Sequence, residues 1–182
     1  MTTTRTQILV AAALAAALSL PALAAEPAQA KTRVGLGVAI YPIDAAATMP
    51  TLEVYVPIAL SDGLRLEPSL GIFTRNRGGN GVDTTDFTVG VGLMGVSHIG
   101  PATNMLYGGR LKLNFASAAT PGGGSDSGTD VSLAGAFGAE QYLGERLAVG
   151  LEAQLGYYSQ SSVSGDASGL FTTGVVFVRV WF

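Results

Sequence analysis

The chain has 182 residues, enough for one domain. Its net charge of −3 and pI near 5.0 argue against a nucleic-acid backbone as partner, and the absence of cysteine excludes disulfides and thiolate metal sites. Charged residues are only 13%, about half the usual globular share, yet the mean hydropathy is +0.39 with 25 glycines, so apolar character is spread along the chain.

The first segment, MTTTRTQILVAAALAAALSLPALAAEPAQA, reads as a cleaved export signal. Arg5 stands in its n-region, Ile8 to Leu20 form the apolar run, and Ala22-Leu23-Ala24 fits the small-x-small cleavage rule; Ala28-Gln29-Ala30 is a second candidate site. The run is too short for a stable membrane anchor. Without a twin arginine the general secretory route is expected, and without cysteine the chain is no lipoprotein. Residues 1–24 are assigned to the signal peptide and 25–182 to a single β domain. No later stretch is apolar over the ~20 residues that a membrane-spanning helix needs.

From Lys31 onward the apolar period is two. RVGLGVAIY sets Val34, Leu36, Val38 and Ile40 against Gly35, Gly37 and Ala39. TLEVYVPIAL sets Leu52, Val54, Val56, Ile58 and Leu60 against Thr51, Glu53, Tyr55, Pro57 and Ala59. LRLEPSLGIF sets Leu64, Leu66, Pro68, Leu70 and Ile72 against Arg65, Glu67, Ser69, Gly71 and Phe73. DFTVGVGLMGV sets Phe87, Val89, Val91 and Leu93 against Thr88, Gly90, Gly92 and Met94. LYGGRLKLNF sets Tyr107, Leu111, Leu113 and Phe115 against Gly108, Arg110, Lys112 and Asn114. DVSLAGAFGAE is weaker, with Val131, Leu133 and Phe137 against Ser132, Ala134, Gly138 and Glu140. LAVGLEAQLGYY sets Leu147, Val149, Leu151, Leu155 and Tyr157 against Ala148, Gly150, Glu152, Gln154, Gly156 and Tyr158. Finally GVVFVRVWF sets Val176, Val178, Val180 and Phe182 against Val175, Phe177, Arg179 and Trp181. These patterns predict eight strands.

The connectors alternate in length. PIDAAATMP, TRNRGGNGVDTT, ASAATPGGGSDSGT and SQSSVSGDAS follow odd strands; SDG, HIGPATN and QYLGER follow even ones. Long loops at one end and short turns at the other fit an up-and-down barrel inserted into a membrane from one side. A soluble lipocalin-like barrel alternates too, but it needs a solvating exterior. Here one face is nearly free of charge over about ten residues per strand, the length that crosses a bilayer at a tilt. The other face is glycine, alanine and serine plus Glu53, Glu67, Glu140, Glu152, Arg65, Arg110, Lys112 and Arg179. Four acids and four bases inside a narrow barrel must pair, because desolvating one charge alone costs several kcal/mol. Pro57 and Pro68 fit a closed sheet poorly, and a bulge near the SDG turn is expected to accommodate them.

On LEVYVPIAL, LRLEPSLGIF, GAEQYLGERLAVGLEAQLGYY and the aromatic carboxyl-terminus, the mature chain resembles the small eight-stranded outer-membrane β-barrel family of Gram-negative bacteria, in the broad OmpA/OmpX-like sense. The resemblance implies an all-β, antiparallel up-and-down transmembrane barrel in the outer membrane. It also implies that Val176, Val178, Val180 and Phe182 form the signal read by the barrel-assembly machinery. Phe87, Phe115 and Tyr157 on one side, with Tyr107 and Phe182 on the other, suggest interfacial aromatic girdles.

Other chemistry finds little support. GVGLMG, Gly90 to Gly95, matches a dinucleotide fingerprint but lies inside a strand and opens no helix. His98, the single histidine, falls at the inner rim, away from the outer-leaflet lipid that family acyltransferases and deacylases modify, and its neighbour Ser97 points to the opposite face. Asp83, Asp86, Asp126 and Asp130 lack a calcium turn scaffold and read as solvated loop residues. Arg75 and Arg77 could touch lipopolysaccharide phosphates. The expected protein is a monomeric, non-enzymatic barrel with a structural or surface-interaction role, an ion-paired lumen, no cofactor and no metal. Its partners are membrane lipids and the assembly machinery. The alternatives are a narrow channel for small or apolar solutes and the soluble barrel.

Overall fold

The computed structural model describes residues 34–41, 52–75, 83–120 and 124–182. The expected signal peptide, the connector at 42–50 and Arg77 lie outside the described residues. The strands are β1 (Gly35–Ile40), β2 (Leu52–Tyr55), β3 (Ile58–Ser61), β4 (Leu64–Arg75), β5 (Asp83–Gly100), β6 (Thr103–Thr120), β7 (Gly124–Tyr142), β8 (Leu147–Ser159) and β9 (Ser168–Trp181). Every pairing is antiparallel. β2 and β3 are two halves of one stave, so the wall has eight staves, as the period-two patterns predict.

The wall is closed. β1 pairs β9, with Gly35 opposite Trp181 and Ile40 opposite Val176, while β2 pairs both β1 and β4. Following the register once around, from Gly37 through Tyr55, Ser69, Gly90, Lys112, Ser132 and Tyr158 to Gly169, returns to β9 ten residues from Arg179, the partner of Gly37. A stagger of ten over eight staves tilts the strands by about 40° and gives a wall radius of about 8 Å, room for side chains alone.

The interruption of the second stave at Val56–Pro57 is where the two prolines act. Both keep their carbonyls in use: Gly35 N–H donates to Pro57 O (2.9 Å) and Val56 N–H to Pro68 O (2.9 Å). The register slips between Ala59 and Ser61, beside the Asp62–Gly63 turn, which is the expected bulge.

Several strands outrun their apolar patterns. ASAATPGGGSDSGT was expected as a loop, yet β6 continues to Thr120 and β7 starts at Gly124, with Ser117 opposite Ser127 and Ala119 opposite Ser125. HIGPATN shrinks to the two residues between Gly100 and Thr103, and the last strand starts at Ser168 rather than Gly174. Beyond the lipid there is no apolar face to write a period, but the ladder hydrogen bonds still favour continuing the hairpin.

Outward side chains are exposed and apolar: Leu36, Val54, Leu70, Val91, Leu111, Leu133, Leu155 and Val178 among others. Phe87 and Phe115 stack with centroids 6.4 Å apart in the outer row with Tyr157, and Tyr107 and Phe182 stand at the other end. The inside is buried and largely polar. Its fully enclosed large side chains include Arg179, Phe177, Met94, Leu106, Glu67 and Glu140.

Candidate functional site

The inward parity of six staves delivers all eight expected charges to one lumen. Each of Glu53, Glu67, Glu140, Glu152, Arg65, Lys112 and Arg179 is at least nine-tenths buried, and Arg110 is enclosed apart from 12% of its side chain. Arg179, at 0% exposure, is the hub. Its Nη2 lies 2.8 Å from Glu67 Oε1, its Nη1 donates to Glu140 Oε2 (2.7 Å), and its Nε donates to the Tyr55 hydroxyl (2.6 Å). Its guanidinium lies over Phe177 at 4.1 Å and Tyr55 at 5.1 Å from the ring centres.

Arg65 grips Glu140 with both amino groups (2.7 and 3.0 Å), approaches Glu67 at 3.6 Å and stacks 4.7 Å above Trp181. Arg110 makes a two-point contact with Glu152 through Nε and Nη2 (both 2.6 Å), and its Nη2 also reaches Glu67 (2.7 Å). Lys112 donates to Glu53 (2.5 Å) and to the Tyr41 hydroxyl (2.6 Å), and lies over the Tyr41 ring at 4.1 Å. Glu67 thus meets three arginines and Glu140 two. The planar fork of arginine suits these shared geometries, whereas Lys112, the one lysine of the network, stands in the simpler, outermost pair.

Space for these groups comes from glycines on the same face. A Cβ on Gly92 would meet Arg110 Nη1 at 2.7 Å, one on Gly90 would meet Lys112 Cγ at 3.2 Å, and one on Gly37 would collide with the Tyr55 ring. At Gly37 glycine is needed for the close approach of the ring, while at Gly90 and Gly92 it leaves room for side chains that could shift.

The sequence reading missed the neutral members of the network. Tyr41 and Tyr55 hold Lys112 and Arg179. Gln154 donates to Glu152 (2.6 Å), and Asn104 Nδ2 donates to Glu140 (2.9 Å) while its Oδ1 meets His98 Nδ1 at 2.6 Å. Their signal was present: each is polar or aromatic at an inward position of its stave. Asp86 and Asp130, expected as solvated loop residues, are buried. Asn114 links them, donating to Asp86 (3.1 Å) and Asp130 (3.0 Å) while accepting from Thr88 (2.9 Å). Asp130 stands at the outer margin, where the outward row of β7 passes from Val131 to Thr129. Burial there raises its carboxyl pKa, but donors from Ser161, Ser164 and Asn114 outweigh this and hold it below the ordinary aspartate value. Among the described residues, no group of three Asp, Glu or His is placed to hold a metal.

His98 sits at the inner end with the Asn104 bond as its partner, and Ser97, opposite Met105, takes the other face. GVGLMG lies wholly inside β5.

A closed antiparallel wall with an apolar exterior and a charged, side-chain-filled interior is that of an integral outer-membrane barrel protein. The family model for the outer membrane protein beta-barrel domain matches residues 10–177, and the chain belongs to that family. The protein is accordingly one of the outer membrane. In solved structures its fold is similar to that of Neisserial surface protein A, at 16% identity over 82% of this chain and 96% of that one, with a TM-score of 0.55. It is also similar to Ail, the attachment invasion locus protein of Yersinia pestis, solved in complex with the heparin analogue sucrose octasulfate. That match has 14% identity, covers 81% of this chain and 95% of Ail, and has a TM-score of 0.53. No curated protein matches the chain.

Proposed function

We propose that the protein is a non-enzymatic, monomeric outer-membrane barrel with a structural or surface-interaction role, whose lumen is shut by its own ion pairs. The observation that carries this reading is the Arg179 hub. One guanidinium joins carboxylates from β4 and β7 and a hydroxyl from β2, so side chains from opposite walls meet at the centre. A narrow conducting pore needs a continuous water-lined track, and these bonds occupy its path. The outward apolar rows suit membrane lipids. Val176, Val178, Val180 and Phe182 form an alternate row for the barrel-assembly machinery, and Arg75 and Arg77 remain the proposed lipopolysaccharide contacts. The described outer-end side chains Asp83, Asp126 and Asp166 are acidic, so the sulfated ligand in the Ail structure is not carried over to this chain.

Planar-bilayer recording tests the shut lumen. Silent, stable insertion is expected, and reproducible unitary openings would favour the narrow-channel reading. Removing both Arg110 and Arg179 should convert silence to conductance.

A further inference from the structure

The loop between β8 and β9 does not stand clear of the barrel. Residues 160–167 lean across to the lumen face of β7, where Gly128 leaves the space that Ser161 and Val163 occupy; a Cβ at Gly128 would collide with the Ser161 side chain and approach Val163 Cβ at 3.5 Å. Asp130, one inward position deeper, receives the Ser161 N–H (2.7 Å), the Ser161 hydroxyl (2.8 Å) and the Ser164 hydroxyl (2.7 Å). The loop has a compact shape of its own. Ser161 O accepts the N–H groups of Ser164 (3.0 Å), Gly165 (3.1 Å) and Asp166 (2.9 Å), and Gln160 N–H closes the base on Ala167 O (2.8 Å). Gly165 and Asp166 make the reversal with φ of 123° and 53°.

Beneath it lies a second polar layer, distinct from the ion pairs. Asp86, Thr88, Asn114, Asp130 and Ser132 face inward at the outer end, where water would otherwise enter, yet all are buried, Thr88 to 1% and Asn114 to 2% exposure.

We propose that residues 160–167 are a lid on the outer mouth, latched by Asp130 and seated on Gly128, whose release opens a blind polar vestibule floored by the ion pairs. The latch joins a preformed loop to the wall through hydrogen bonds to one carboxylate, so the loop can lift without unfolding the barrel. The blind floor rests on the shut lumen proposed above, whereas the latch and its reporter test stand apart from it.

The lack of cysteine makes the test clean. Ser132→Cys places a reporter under the lid, and Ser127→Cys, outward on the same strand, reports the rate of a free surface position. In outer-membrane vesicles, a charged, water-soluble methanethiosulfonate reagent is expected to modify Ser132→Cys far more slowly than Ser127→Cys. Adding Asp130→Ala, or independently Gly128→Val, should accelerate modification of Ser132→Cys by about tenfold or more, because each removes what holds the loop down. Heat-modifiable gel migration identifies the folded variants. A parent-like rate in either folded variant, or a parent Ser132→Cys as reactive as Ser127→Cys, overturns the lid.

Discussion

Arg179→Met keeps most of the side-chain volume and deletes the hub charge. Removing one partner of a buried ion pair costs about 3–5 kcal/mol. The lower end applies here, because Glu67 keeps Arg110 at 2.7 Å and Glu140 keeps Arg65 at 2.7 Å. A loss of about 3 kcal/mol is therefore expected, from an ion-pair network left with four acids and three bases. The register names the compensating change. With Glu67→Gln added, the remaining charges resolve into Lys112–Glu53, Arg65–Glu140 and Arg110–Glu152, three pairs already in contact. The double variant should recover about 2 kcal/mol of the loss, a coupling far outside the error of additive sites. Reversible urea unfolding in lipid vesicles measures this, with the single tryptophan, Trp181, as the buried fluorophore beneath Arg65. With a denaturant slope of about 3 kcal/mol/M the single variant's midpoint falls by about 1 M. A loss below about 1 kcal/mol for the single variant, or additive losses in the double, would refute the claim that these charges act as one desolvated unit.

Gly37→Ala should displace the Tyr55 ring, break its bond to Arg179 and destabilise the barrel by about 1–3 kcal/mol in the same assay; an unchanged midpoint would show that the ring has another place to go. Deleting Phe182 should impair assembly in cells more than folding in detergent, because its side chain is 55% exposed; equal losses would assign it a packing role. The Asp130 latch is tied to a lowered carboxyl pKa, so its contribution is complete above the ordinary aspartate value of 3.8 and is lost as pH falls through the folded value beneath it. Protection of the Ser161 amide from hydrogen exchange, corrected for intrinsic rates, should hold at pH 5 and fade only in stronger acid; Asp86, joined through Asn114, is the other carboxyl facing this site. Loss of protection already near pH 6 would contradict it.

The sequence was legible wherever lipid imposed a face. Leu36, Val89, Leu111 and Val178 announce their outward rows, and Arg179 betrays the inward one, because a charge can stand mid-strand only on the lumen side. Where the wall rises above the lipid that constraint ends, so Ser117, Ser125 and Ser127 read as loop although they sit in a regular ladder. The partners of each charge were illegible for another reason. Parity gives a face, but only the ten-residue stagger decides which residues share a level. It brings Arg179 to Glu67 and Glu140, across the lumen, rather than to a neighbour on an adjacent stave. Asp130 was missed because its donors, Ser161 and Ser164, belong to a loop whose fold no period reports.

The closing seam carries a consequence for biogenesis. Gly35 pairs with Trp181, so the contact that completes the wall joins opposite ends of the described chain, whereas each hairpin forms between neighbours. Until that contact exists, β1 and β9 are bare edges whose peptide groups find no partner in hydrocarbon. Partial barrels are therefore barred from resting in the membrane, and insertion and closure must proceed as one event. The strands beside the seam, β1 with six residues and β2 with four, are also among the shortest in the wall. The last joint made is thus a slender one, and it is where the finished barrel should first come apart.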